Sequence, residues 1–160
     1  MEKLTHINEK GEANMVDISD KAVTKRRALA SGKISMNAGA FDQIVSGTAP
    51  KGDVLGTARI AGITAAKRTF EMIPLCHLIM LSKVSIDFVP NPEAHEIVCT
   101  CEVLSEGKTG VEMEALTGVS AALLTIYDMC KAADRKMTIG DIRLEEKDGG
   151  RSGSYRRKEN

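Results

Sequence analysis

An aspartate and a lysine three positions apart, Asp128 and Lys131, form the first pair of residues that could do chemistry. They lie near the end of a proline-free stretch rich in Ala and Leu, which favours a helix and makes the two side chains neighbours on its surface. A carboxylate beside an ammonium group can act as an acid/base pair when the site is partly shielded from water. If the fold also brings Lys51 here, a second ammonium group joins the pair. The alternative is a surface ion pair, which contributes little to stability.

Cys76 and His77 follow Pro74 after one intervening residue and form a second candidate site. A thiolate is a nucleophile when its pKa is lowered, and a histidine can bind a phosphate or the edge of a purine. Cysteine and histidine also bind zinc, but two adjacent residues without a second pair make a poor metal site, so we expect no metal. The alternative is a buried cysteine beside a histidine whose hydrogen bonds are satisfied.

Positive charge recurs at positions expected to be loops or helix ends. Residues 147–153 form a Gly-rich basic segment, and such loops bind oligophosphates through backbone N–H groups together with nearby cations. The segment does not have a Walker sequence, and a solvated turn is the alternative. The candidate phosphate-binding cations are Arg26, Lys51, Lys131, Lys147 and Arg151.

The stretch at 107–131 is the element around which these groups must be placed. Residues 115–131 are predicted to form one long helix, with a polar and small stripe that runs from Glu114 to Asp128 and an apolar side that carries Leu123 and Ile126. Fourteen residues of helix separate Glu114 from Asp128 by about 21 Å. One ligand can contact both ends only if it is long, or if two chains bring opposite ends of their helices together, and we therefore expect sites at a subunit interface.

Composition bounds the class of protein. The 160 residues suffice for one domain, residues 1–160, and 22 basic residues balance 22 acidic ones, which gives no general attraction to nucleic acid or to a membrane. Aromatic residues make up 3%, too few for base-stacking platforms. No apolar run approaches a membrane span, and the four cysteines lack CxxC spacing and follow no signal peptide. A reduced, cytoplasmic protein is the expectation.

The remaining pattern predicts an α+β fold with one antiparallel sheet and helices packed on one face. Residues 1–32 are polar and are expected to wrap over another part of the molecule, and the tail at 155–160 is expected to be mobile. Alternating Ile97, Cys99, Cys101 and Val103 place both cysteines in the core. Strands are predicted at 33–36, 84–88, 96–103 and 137–144, and helices at 38–46, capped by Asn37, and at 54 to about 72, capped by Asp53.

Several runs resemble the MoaC-type cyclic pyranopterin monophosphate synthases of molybdenum cofactor biosynthesis. The most specific are Lys-Thr-Gly-Val-Glu-Met-Glu-Ala at 108–115 and Ile-Tyr-Asp-Met-Cys-Lys at 126–131. Shorter matches lie at 5–8, 15–19, 51–54, 58–63, 65–69 and 73–77, so the resemblance covers nearly the whole chain. One departure is Leu78, where the family pattern has proline after the Cys–His pair.

The resemblance implies a ferredoxin-like fold and a lyase. Its substrate is a cyclic dihydro-GTP in which ribose and guanine are bridged by a carbon–carbon bond, and its products are cyclic pyranopterin monophosphate and pyrophosphate. No redox cofactor is implied, and we expect no cofactor. The family assembles as a homohexamer, a trimer of dimers with sites between subunits. A non-catalytic purine-nucleotide-binding regulatory protein on the same scaffold is the alternative function.

The resemblance also assigns roles to residues. Asp128, Lys131 and Lys51 match the catalytic acid/base positions. Arg26 and Lys147, with Arg151, would suit the triphosphate of the substrate. Glu112 and Glu114 would suit the N–H groups derived from guanine. The matches to substrate-contacting positions are Leu75, Cys76, His77, Glu112, Met113 and Glu114.

Overall fold

Secondary structure in the computed structural model, which describes residues 6–158, follows the expected alternation of strands and helices. The strands are β1 (Thr24–Ser35), β2 (Leu81–Asn91), β3 (Glu96–Gly107), β4 (Thr138–Asp148) and β5 (Tyr155–Arg156). The helices are α1 (Ala38–Ser46), α2 (Val54–Lys67), α3 (Thr69–Met72) and α4 (Glu112–Cys130).

The sheet has the order β2-β3-β1-β4-β5, and every neighbouring pair is antiparallel. The succession β1, α2, β2, β3, α4, β4 in this order is the split βαβ arrangement of ferredoxin-like folds. The helices lie against one face of the sheet, so the predicted α+β architecture is confirmed. β5 extends the sheet beyond β4 and belongs to the tail that was expected to be mobile.

The core lies between the sheet and α4. Alternate residues of β1 and β3 point to the helix side, and Cys99 and Cys101 are fully buried there, as the sequence pattern predicted. The close approach of helix and sheet requires small side chains, because a Cβ on Gly32 would lie 2.8 Å from Val119 Cγ1. The central buried set is Ala28, Ala30, Ile34, Ile97, Cys99, Cys101, Val103, Val119, Leu123 and Ile126.

Both predicted helix caps are present. The Asn37 side chain accepts a hydrogen bond from the backbone N–H of Ala40, and the Asp53 carboxylate accepts one from Gly56. Gly47 ends α1 in the left-handed conformation, with φ 71°. Because Asp53 fixes the start of α2, it also fixes the preceding turn that carries Lys51.

The sequence prediction was wrong for several boundaries. β1 begins at Thr24 rather than at residue 33, so most of it lies in the segment predicted to wrap over the molecule. The helix predicted from 54 to about 72 is divided at Arg68 into α2 and α3. β4 continues to Asp148, so Lys147 belongs to a strand and not to the Gly-rich loop.

Candidate functional site

Asp128, Lys131 and Lys51 meet at the C-terminal end of α4. Lys131 Nζ donates to Asp128 Oδ1 at 2.6 Å, and Lys51 Nζ lies 3.4 Å from Asp128 Oδ2. Lys51 also donates to the main-chain carbonyl of Asp128 at 3.1 Å, which ties the turn before α2 to the end of α4. The structure therefore brings together the three residues that the sequence hypothesis required to meet, and we call them the trio.

The trio is a carboxylate between two cations. The hydrogen bonds from Lys131 first, and then from Lys51, hold the pKa of Asp128 below its ordinary value, so the group is a carboxylate at neutral pH. About half of each side chain is exposed, at 59% for Asp128, 52% for Lys131 and 49% for Lys51. Such a group can accept a proton while its neighbours stabilise developing negative charge, once another surface excludes water.

A first cleft, which we call the Cys–His cleft, lies at the other end of α4. Its volume is about 290 Å³, and six of the eight residues predicted to bind substrate line it, all except Arg26 and Lys147. Leu75, Cys76 and His77 follow α3, whereas Glu112, Met113 and Glu114 form the first turn of α4, so the fold joins two segments that are distant in sequence. The other lining residues are His6, Val16, Ile18, Lys21, Ile79, Thr109 and Gly110.

Glu114 is the buried acid of the Cys–His cleft. Glu114 is 4% exposed. Burial, together with the nearby charge of Glu112, raises the pKa of its carboxyl to about 7. A hydrogen bond from the backbone N–H of Glu114 itself acts in the opposite direction. Among residues 6–158, no cation forms an ion pair with it. A carboxyl in this state can bind N–H donors of a ligand and gain a charge as it does so.

Cys76 and His77 differ in what they offer to a ligand. Burial, with the charge of Glu114, raises the pKa of the Cys76 thiol, which argues against a thiolate nucleophile. His77 Nε2 lies 2.7 Å from the carbonyl oxygen of Val16. Because a carbonyl only accepts, Nε2 carries the hydrogen, and in the neutral ring Nδ1 remains an acceptor.

The polar N-terminal segment is held along this cleft. Besides the His77 contact to Val16, Lys108 Nζ donates to the Ser19 carbonyl at 2.6 Å. Val16 and Ile18 supply apolar wall to the Cys–His cleft. Residues 16–19 thus pack over another part of the molecule, as predicted for the segment, whereas residues 24–32 form part of β1.

A second cleft, the basic cleft, adjoins the first and has a volume of about 550 Å³. Thr109, Gly110, Glu112 and Lys21 line both clefts, so the two clefts are neighbours. The cations along the basic cleft are Lys21, Arg26, Lys108, Lys147 and Arg151.

Two acidic residues, Asp20 and Glu112, also line the basic cleft, but most of its cations form no ion pair within residues 6–158. Lys147 Nζ is 3.8 Å from Glu112 Oε1 and bonds the Ser152 hydroxyl. In the described part of the chain, the other four cations form no ion pair with a carboxylate, and Arg26 donates instead to the Gly107 carbonyl at 3.1 Å. A concentration of unneutralised cations in a cleft is suited to a polyanion.

Of the five candidate phosphate-binding cations, Arg26, Lys147 and Arg151 line the basic cleft, whereas Lys51 and Lys131 lie beside Asp128 at the other end of α4. Sequence reasoning missed Lys21 and Lys108. Lys108 lies in the Gly-Lys-Thr-Gly run that opens the α4 segment, which is the one signal that could have identified it. Lys21 lies in the polar segment without a distinguishing pattern. Across residues 6–158 there is no cluster of three or more His, Cys, Asp or Glu side chains arranged to hold a metal ion, and none of the helices there is long and apolar enough to cross a membrane.

The trio and the clefts lie at opposite ends of one helix. α4 spans 19 residues, and the fourteen positions between Glu114 and Asp128 correspond to about 21 Å. The fold and these sites define a class: an α+β protein of ferredoxin-like topology with a cleft for a polyanionic small molecule and a separate acid/base group.

Comparison with known proteins narrows this class. The model of the MoaC family matches residues 15–150, and the chain belongs to that family. It is 54% identical over 159 residues to the cyclic pyranopterin monophosphate synthase of Chloroflexus aggregans, covering 99% of this chain and 96% of that protein. It is 59% identical to the protein of the same name from Methylobacterium sp. strain 4-46, covering 97% of each. Cyclic pyranopterin monophosphate synthase 3 of Mycobacterium tuberculosis strain H37Rv is 58% identical, over 96% of this chain and 86% of that protein.

Proposed function

We propose that this protein converts a ribose–guanine-bridged cyclic dihydro-GTP into cyclic pyranopterin monophosphate, with release of pyrophosphate, in molybdenum cofactor biosynthesis. Membership of the MoaC family and the names of its relatives carry the activity. The single structural observation that supports it most is that the Cys–His cleft and the basic cleft are neighbours. A purine-derived ring and a triphosphate need two such adjoining environments.

The two clefts orient the substrate. The triphosphate lies among Arg26, Lys147 and Arg151, joined by Lys21 and Lys108. The ring system then occupies the Cys–His cleft, where Glu112 and Glu114 accept hydrogen bonds from its N–H groups. Leu75 and Met113 contact its flat face, and His77 presents Nδ1 as an acceptor.

Closure of the cyclic phosphate requires proton transfer and charge stabilisation. A sugar hydroxyl forms a bond to the α-phosphorus, the bond from that phosphorus to the bridging oxygen breaks, and pyrophosphate leaves with the oxygen. Asp128 accepts the hydroxyl proton, and the ammonium groups of Lys51 and Lys131 stabilise the negative charge that develops. The preceding ring rearrangement uses the same acid/base group.

The complete site combines two protomers. A ligand in the clefts of one chain is separated by about 21 Å from the trio of the same chain, so a second chain supplies the trio. A homohexamer, arranged as a trimer of dimers, provides this pairing at each site. Three of the four free cysteines are buried, which suits the reducing cytoplasm, where we place the enzyme.

The function is tested by turnover of the cyclic dihydro-GTP. We expect the protein to form cyclic pyranopterin monophosphate and pyrophosphate in equal amounts. Asp128→Asn should lower kcat by about a hundredfold or more, because it removes the proton acceptor, while ligand affinity changes by less than about tenfold. Asp42→Asn, at an exposed position of α1, is the matched control and should leave kcat unchanged.

Two results would contradict the proposal. Substrate binding without pyrophosphate release by the unmodified protein would identify a nucleotide-binding protein and not a synthase. Turnover that persists in Asp128→Asn would remove the catalytic assignment of the trio.

A further inference from the structure

The Thr24 hydroxyl has no partner. Thr24 Oγ1 is buried and forms no hydrogen bond within residues 6–158, and it is the one buried side-chain polar atom there in that condition. A buried polar group without a partner is costly, by about 1–3 kcal/mol for a neutral group, and native proteins keep few of them. An unpartnered hydroxyl at a binding site therefore suggests a partner that arrives with the ligand.

Its position in the sheet places Thr24 beside the phosphate-binding cations. It is the first residue of β1 and pairs with Gly107 of β3. Thr24 and Arg26 are two apart on one strand, so their side chains leave the same face. Lys147 of β4 pairs with Ala28 and projects from that face as well. All three residues line the basic cleft.

We propose that Thr24 is a further ligand-binding residue of the basic cleft, where its hydroxyl donates a hydrogen bond to an oxygen of a bound oligophosphate. Thr24 is partly exposed as a residue, although its oxygen is covered. Rotation about the Cα–Cβ bond to another staggered orientation moves the oxygen toward the cleft, and threonine adopts more than one such orientation. In the free protein the hydroxyl has no hydrogen-bond partner among residues 6–158, and in the complex it donates a charge-assisted hydrogen bond.

The chemistry explains why a hydroxyl is useful among so many cations. Lysine and arginine supply attraction at a distance, but their long side chains fix an oxygen less sharply than a short β-branched one does. A strand residue such as Thr24 therefore fixes where one phosphate oxygen lies relative to the sheet. This inference rests on the proposed function, since it places the oligophosphate of that substrate in the basic cleft.

Inorganic tripolyphosphate tests the inference with three full-length variants. Thr24→Val keeps the shape and removes the hydroxyl, Thr24→Ser keeps the hydroxyl, and Thr48→Val is the matched control at an exposed threonine outside the cleft. Binding is measured by titration calorimetry, and the melting temperature is measured with and without tripolyphosphate.

We expect a specific pair of results for Thr24→Val. Its melting temperature without ligand should equal or exceed that of the unmodified protein, because the lost hydroxyl had no partner. Its affinity for tripolyphosphate should fall about tenfold, and the stabilisation by tripolyphosphate should shrink accordingly. Thr24→Ser should bind within about threefold of the unmodified protein, and Thr48→Val should bind equally well.

Each other outcome overturns the inference. Equal binding by Thr24→Val and the unmodified protein would show that the hydroxyl does not contact the anion, while the proposed function would stand. A lower melting temperature of ligand-free Thr24→Val would show that the hydroxyl has an internal structural partner. Failure of the unmodified protein to bind tripolyphosphate would overturn both this inference and the triphosphate site of the proposed function.

Discussion

Asp128 and Glu114 show how two carboxyl groups on one helix acquire opposite properties. Asp128 has two ammonium groups beside it and half of its side chain in water, so its pKa is lowered. Glu114 is buried with a like charge nearby, so its pKa is raised to about 7. At neutral pH the first is a proton acceptor and the second can carry a proton, which is the division of roles that acid/base sites require.

The raised pKa of Glu114 predicts a dependence of stability on pH. The unfolded carboxyl titrates near 4.5 and the folded one near 7, so the folded state binds more protons between these values and the free energy of unfolding falls as pH rises through them. Glu114→Gln lacks this charge. Its stability relative to the unmodified protein should therefore increase from pH 4.5 to pH 7 by about 3 kcal/mol and then level off.

Chemical denaturation of both proteins at a series of pH values measures the difference. Other carboxyl groups, including Asp128, titrate in both proteins and cancel in the comparison. Glu106→Gln, at an exposed position, is the control and should show no such trend. A difference between Glu114→Gln and the unmodified protein that stays constant across this range would show that the carboxyl is charged throughout.

At the scale of elements, local patterns predicted the sequence of strands and helices but not all of their ends. The caps at Asn37 and Asp53 have one physical cause, a short side chain that accepts a backbone N–H, and this cause is visible in the sequence. The first half of β1 could not be predicted from the sequence, because Lys25, Arg26 and Arg27 have weak strand propensity. Pairing with β3 on one side and β4 on the other determines it.

The break between α2 and α3 also depends on contacts that the sequence does not reveal. Thr69 Oγ1 donates to the Ala66 carbonyl at 3.0 Å, and this competes with the regular helical bonding of the backbone. β4 likewise runs past its apolar part because charged pairs support it, such as Arg27 with Glu146 at 2.6 Å. Tertiary contacts of this kind override local propensity.

The candidate site could be predicted in part. The residues of the Cys–His cleft and the trio lie in specific motifs, and the structure brings each set together. Lys21, Lys108 and Thr24 were missed because their importance comes from where the sheet and the N-terminal segment place them. A threonine without a hydrogen-bond partner has no signal in a sequence.

The close contact between α2 and α4 requires a glycine at position 62. A Cβ on Gly62 would lie 2.2 Å from Ile86 Cδ1 and 2.7 Å from the Gly118 carbonyl oxygen. Gly62→Ala should therefore destabilise the protein by about 1–3 kcal/mol, although alanine is the better helix former. Thermal or chemical unfolding measures the change.

Gly39→Ala in α1 is the matched control. There, the nearest atom to an added Cβ is Asn37 Oδ1 at 3.5 Å, an ordinary contact. Gly39→Ala should leave stability unchanged or raise it by up to about 1 kcal/mol. Equal effects of the two substitutions would mean that α2 and α4 are not held as closely as the structure describes.

At the scale of the whole molecule, the length of α4 keeps the trio and the clefts of one chain apart. One rigid helix carries Glu114 near its start and Asp128 near its end, so neither end can move toward the other within a chain. We propose that the half-exposed trio and the open cleft become a closed site when a second chain covers them. In this proposal, association supplies both the missing residues and the exclusion of water.

Mixing two inactive variants is the measurement that tests this claim most directly. Glu112→Lys reverses a charge between the clefts, and Asp128→Asn removes the proton acceptor. When the two variants are co-expressed in equal amounts, half of the chains have intact clefts and half have an intact trio. Random association should therefore give about one site in four with both parts intact. Activity should therefore return to about a quarter of that of the unmodified protein.

The control pair is Lys51→Ala with Asp128→Asn. These residues belong to the trio of one protomer, with Lys51 Nζ 3.4 Å from the Asp128 carboxylate, so mixing them should restore nothing. Recovery by the first pair and none by the second is the result that a shared site predicts. No recovery by the first pair would contradict it and would require clefts and trio of the same chain to act together.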